Sequence, residues 1–175
     1  MNKYLLVFSL SFLTTVSIGQ SKADLNTIRE ELFYTQFNLE KCQAFYEKLI
    51  DFKRSSPTIM AYEAAAKALI AKHSWNPFTK ISFLKESLNL LEVAIHSDKS
   101  NPELRFLRLY IENSIPSYLG MNKYLEADKR IIISNMAHVS SMGLDAGIIS
   151  YIIDYMSSKA ICTNDELKLI KASVL

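Results

Sequence analysis

At 175 residues, with 20 Lys and Arg against 18 Asp and Glu, the chain has the length of one domain with a real core and lacks the basic excess of a nucleic-acid binder. Four glycines and four prolines supply too few turn formers for an all-β protein of this size. The three histidines, His73, His96 and His138, stand far apart and form neither HExxH nor a short Cys/His spacing, so neither metal nor cofactor is expected.

Met1-Asn2-Lys3 is a short basic start, and Tyr4 to Val16 is uncharged and mostly apolar. Ser17 and Gly19 are the small residues that a signal peptidase requires before a cut ahead of Gln20. The apolar run is shorter than the roughly 20 residues that span a bilayer. Residues 1–19 are therefore expected to be a signal peptide and 20–175 a single all-helical domain, secreted or periplasmic, with no membrane span after cleavage. An uncleaved N-terminal anchor is the alternative. Loss of Lys3 would leave the charges almost balanced, with no polybasic stretch. In an oxidising compartment Cys42 and Cys162 can form a disulfide worth about 2–4 kcal/mol, or serve as two small buried hydrophobes.

Asp24 to about Gln36 carries Leu25, Ile28 and Leu32 at helical spacing, and Asn38 to about Lys53 carries Leu39, Cys42, Tyr46 and Leu49. The spacing runs on through Thr35, so residues 24–53 read as one helix or two. Ser56-Pro57, Asn76-Pro77 and Asn101-Pro102 each place a capping side chain before a proline. The side chain accepts a free backbone N–H, and proline lacks a donor that the first turn would leave unpaired. They predict helices from Pro57 to about His73, from Pro77, and from Pro102 to about Asn113. Phe78, Ile81, Leu84, Leu88, Leu91 and Ile95, widened by Phe83, Leu90 and Ala94, give the Pro77 helix an apolar face broad enough to pack on more than one side, which places it in the middle of the domain. Trp75, at the joint before it, reads either as core, the commoner place for an aromatic at a helix junction, or as the wall of a groove. Asn122 to about Met136 and Leu144 to Met156 are further helices. Residues 137–143 are the loosest stretch. Thr163 and Glu166 form a capping box that opens the last helix. The fold class is all-α: seven or eight helices in antiparallel hairpins, stacked as a tetratricopeptide-like superhelix or as an irregular bundle.

The stretch LKESLNLLEVAIHSDKSNPELRFLRLYI resembles the second helix of a tetratricopeptide repeat and the start of the next pair. Ala94-Ile95 and Asp98 to Pro102 carry the likeness, although Lys99 stands where the repeat has proline and Leu109 where it has a small residue. AKHSWNPF, NPELRFLR, IPSYLG and EADK resemble an uncharacterised family of small secreted helical proteins of Bacteroidetes-type bacteria, over roughly Leu32 to Asn135. That resemblance implies an exported, tetratricopeptide-like architecture and brings no functional residues with it.

Nothing in the chain reads as catalytic. It has no GxSxG elbow and no glycine-rich phosphate loop. Glu30-Glu31 and Asp165-Glu166 point in different directions on a helix, which excludes an acid/base dyad by spacing. The remaining cluster is Arg105, Arg108 and Glu112, on one face of a helix. As an ordinary pair, Arg108 and Glu112 would contribute about 0.3–0.5 kcal/mol. As a functional row, with Trp75, Tyr110 and Tyr118 lining a groove, they would grip a carboxylate or a peptide backbone. The expected function is a non-enzymatic protein- or peptide-binding module of the cell envelope, with Trp75, Arg105, Arg108 and Glu112 as the interaction face. The alternative is a small-molecule or lipid carrier with an apolar cavity between helices. An enzyme site assembled from separate helices is a third reading.

Overall fold

Helix starts are set by local chemistry. In the computed structural model, which describes residues 22–54, 56–139, 141–159 and 161–174, Ser56 accepts the Ile59 N–H, Asn76 those of Phe78 and Thr79, and Asn101 those of Glu103 and Leu104. Each side chain satisfies donors that the first turn leaves without a partner. Thr163 and Glu166 exchange the two bonds of a capping box. The described residues form eight α-helices and two 3-10 turns, with no strand among them. The helices are α1 (Lys22–Thr35), α2 (Leu39–Asp51), α3 (Pro57–His73), α4 (Pro77–Ser97), α5 (Pro102–Asn113), α6 (Leu125–Asn135), α7 (Ala146–Ser158) and α8 (Asn164–Val174). The 3-10 turns are Ser117–Leu119 and Met136–His138. The expected signal peptide and the expected cut before Gln20 lie outside the described residues.

Residues 24–53 form two helices. The chain turns at Gln36 and Phe37, and Asn38 then caps α2 by accepting the Lys41 N–H. After α2, Lys53 and Arg54 both take positive φ, a costly choice for residues with a Cβ. The turn delivers Arg54 to Glu63, a buried carboxylate on α3, through two bonds of 2.9 and 2.8 Å.

The central helix is α3, and this corrects the expectation placed on α4. Nearly every side of α3 is covered, and it packs against α1, α2, α4 and α5. Its alanines allow this, because a helix sheathed in Cβ atoms lets neighbours approach closely. On α4 only Ser87, Leu91, Ala94 and Ile95 are fully buried, and Phe78 stands in solvent.

Two cores share α5. Leu104, Leu107 and Ile111 face the first, with Phe45, Leu49, Ile59 and Leu91. Phe106 and Leu109 face the second, with Ile132, Met136, Ile152 and Met156. A helix between two cores has no free side, so its charged residues are buried as well: Glu103, Arg108 and Glu112 are each at most 4% exposed. Such groups persist only when paired.

Candidate functional site

The row Arg105, Arg108 and Glu112 lies on one face of α5, as its spacing requires, but that face is turned onto α6. Arg108 gives two bonds of 2.7 Å to the buried Asp128 carboxylate. Its guanidinium also lies 4.0 Å from the centre of the Tyr124 ring. Arg105 donates to Asp128 at 3.0 Å and to the Lys99 carbonyl at 3.1 and 2.7 Å. Glu112 accepts the Tyr124 backbone N–H at 2.8 Å, placing a carboxylate at the N-terminus of α6, where the helix dipole favours it. Burial raises the Glu112 pKa, opposed by that N–H and by Arg108. Asp128 and the Lys99 carbonyl take most of the row's donors, and the row is packed onto α6 in place of the expected open interaction face, although Arg108 and Glu112 also edge a small cavity of about 230 Å³ beside Glu92 and Tyr124. Arg108 pairs with Asp128 in place of Glu112.

Trp75 is no part of that face. It is 93% exposed, which also corrects its expected place in the core. His73, its neighbour, meets the Gln36 carbonyl through Nε2 at 3.0 Å and so ties the end of α3 to the turn between α1 and α2. Cys42 and Cys162 are free, buried thiols in separate apolar clusters. Among the described residues no group of three His, Cys, Asp or Glu can hold a metal ion.

A larger and more apolar space lies elsewhere. A cavity of about 380 Å³ opens between α1, α3 and α4 on one side and α5 and α7 on the other. That volume falls in the range of small-molecule pockets, roughly 300–1,000 Å³. Its walls are overwhelmingly apolar, with Leu69, Leu84, Leu107, Ile111, Ile148 and Ile152 among them. Ala65 and Ala68 line it from α3, where larger side chains would fill it. Tyr110 and Tyr118, the aromatics expected at a groove, do line it.

An aromatic wall closes one flank. Phe33 meets Tyr151 edge-on at 4.2 Å, and Phe106 meets Tyr151 at 6.0 Å. Tyr110 packs on Tyr155 at 4.8 Å and donates its hydroxyl to Gln36. Burial, together with the neighbouring Tyr110, raises the Tyr151 pKa.

The floor is polar and internally neutralised. Glu103 accepts two bonds from Arg29, at 2.7 and 2.8 Å, and a third from the Tyr62 hydroxyl at 2.9 Å. Burial, then the Glu103 carboxylate, raises the Tyr62 pKa well above its ordinary value, so the phenol stays neutral and donates. With Arg29 and Glu103 cancelling, the charged residues left among those that line the cavity are Lys72 and Lys80. The exposed lining residues are Lys72, Ser114, Pro116 and Tyr118. They mark the mouth, at the end of the bundle where α3 and α5 finish.

Compared with protein families, curated proteins and solved structures, the chain matches none. The cavity was visible in the sequence only as the alanines of YEAAAKALIAK, which read first as helix propensity. Small side chains facing large ones across an interface are the signal that could have found it.

Proposed function

We propose that the protein is a non-enzymatic carrier of a small amphipathic molecule with an apolar body and an anionic head, of the fatty-acid class. The carrying observation is the apolar cavity of about 380 Å³, neutral at its floor and edged by Lys72 and Lys80. An acyl chain would exchange water for the apolar wall, and a carboxylate at the mouth would meet the ammonium groups. On the reading of residues 1–19 as a leader, the carrier works in a secreted or periplasmic setting. N-terminal sequencing of the protein from its host would find Gln20 first.

Titration with a fluorescent fatty acid tests the carrier. The full chain should bind it saturably. Ala65→Phe/Ala68→Phe, which fills the cavity from α3, should abolish binding while the helical circular dichroism stays unchanged. Lys72→Gln/Lys80→Gln should weaken the acid but not the matching fatty alcohol. Unchanged binding by the cavity-filled variant would overturn the reading. A protein- or peptide-binding module of the envelope is less well supported, because Arg105, Arg108 and Glu112 are engaged internally.

A further inference from the structure

Among the described residues, the five most exposed large apolar side chains belong to one end of the bundle. Tyr34, Phe37, Trp75, Phe78 and Tyr118 range from 75% exposed at Tyr34 to 93% at Trp75. They sit at the end of α1, in the turn to α2, in the joint between α3 and α4, and in the 3-10 turn after α5. Two hydrogen bonds hold these segments together: His73 to the Gln36 carbonyl, and the Tyr110 hydroxyl to the Gln36 side chain. The cavity opens at this same end, since Gln36, Lys72, Lys80 and Tyr118 all line it.

The charges at this end lean positive. The first turns of α2 and α4 and the last turn of α3 bring Lys41, Lys80 and Lys72. Against them stand Glu40, in the first turn of α2, and Glu112, in the last turn of α5. Glu112 is buried and spent on the Tyr124 N–H. Exposed Trp, Tyr and Phe interspersed with lysines match the chemistry of the bilayer interface, where aromatic rings sit at headgroup level and ammonium groups meet anionic lipid.

Resting on the carrier reading, we propose that this end docks on an anionic lipid surface, so that the cavity mouth faces the bilayer from which its ligand is taken or to which it is delivered. Tyr34, Phe37, Trp75, Phe78 and Tyr118 enter the interface, and Lys41, Lys72 and Lys80 meet the headgroups. No part of the described chain needs to cross. No helix among the described residues is long and apolar enough to do so.

Trp75 is the chain's one tryptophan, so its emission reports on this end alone, even where another part of the chain holds the vesicle. The full chain should be mixed with vesicles of phosphatidylcholine and phosphatidylglycerol, and with phosphatidylcholine alone. Trp75 emission should move to shorter wavelength on the anionic vesicles and be quenched by acyl-brominated lipid. Lys72→Gln/Lys80→Gln should weaken that partition by roughly 30-fold. Phe37→Ser/Phe78→Ser, with both changes in solvent, should keep the fold by circular dichroism and leave Trp75 emission at its aqueous position. Emission that stays aqueous in the unaltered chain, with or without vesicle binding, overturns docking through this end. So does a shift that both variants retain in full. Ala65→Phe/Ala68→Phe separates the two proposals: it should lose the fluorescent fatty acid and keep the Trp75 shift. Loss of docking alone leaves the carrier standing.

Discussion

Arg29 and Glu103, 74 positions apart in the chain, meet through two charge-assisted bonds of 2.7 and 2.8 Å with both side chains buried. The pair fastens α1 to α5 beneath the cavity. Arg29 also reaches the Gly143 carbonyl at 3.1 Å, which adds the segment before α7. Burial alone would lower the Arg29 pKa, and Glu103 outweighs it, so the guanidinium stays charged.

Removing one partner should therefore be far worse than removing both. Arg29→Met leaves Glu103 as a buried charge, with the Tyr62 hydroxyl as its remaining bond from a side chain. The expected loss is about 3–5 kcal/mol in a denaturant melt. Arg29→Met/Glu103→Gln deletes both charges and keeps an acceptor for Tyr62, and should recover most of that loss. A double variant as unstable as the single one would show that the pair contributes more than mutual neutralisation.

The second buried pair carries a parallel expectation with a gradient. Arg108→Ala strips Asp128 of two bonds and should cost about 3–5 kcal/mol. Arg105→Ala leaves those two bonds in place and should cost less, about 1–3 kcal/mol. Chemical denaturation at constant m-value reads both. Equal costs would mean that Asp128 depends on Arg105 as heavily as on Arg108.

At the joint between α3 and α4, composition and geometry rank the residues in opposite orders. The lone tryptophan invites a core assignment worth about 3 kcal/mol or more on truncation. With its ring in solvent, Trp75→Ala should stay within about 0.5 kcal/mol. Asn76→Ala should cost about 1 kcal/mol, because the Asn76 side chain accepts two N–H groups, at 2.9 and 3.3 Å. Melts of the two variants should come out in that order.

That reversal marks what the sequence can carry. Caps, prolines and the Thr163–Glu166 box act within one helical turn, so the starts of α3, α4, α5 and α8 were legible residue by residue. The start of α6 was not, because its terminal N–H at Tyr124 is met by Glu112 from α5. The partners of Arg29 and Arg108 lie in other helices, and a local reading pairs Arg108 with Glu112 because it sees only spacing. The central helix was misassigned for a related reason. Hydrophobic periodicity favours the leucines of α4, whereas burial between several neighbours favours the alanines of α3. The cavity arises from the same alanines, as space left by side chains too small to fill it.

Alkaline pH should loosen the second core. Burial, with the Glu166 carboxylate adding to it, pushes the Cys162 thiol from 9.0 to about 11. The folded protein thus keeps a proton that the unfolded chain sheds near 9.0. Stability from this group is fully present below that value and is lost as pH rises through the folded thiol's own range. The contribution is on the order of 2–3 kcal/mol, at roughly 1.4 kcal/mol for each tenfold change in proton affinity. Cys42, raised from 9.0 mainly by burial, and Tyr62, raised well above 10.0, act with the same sign. The melting temperature should therefore fall through the window between 9.0 and about 11. Cys162→Ala should make that fall shallower, at the cost of a small void beside Met156 and Ile170. A melting temperature in the unaltered chain that stays flat across the window would show that the thiol ionises in the folded protein as readily as in the unfolded one.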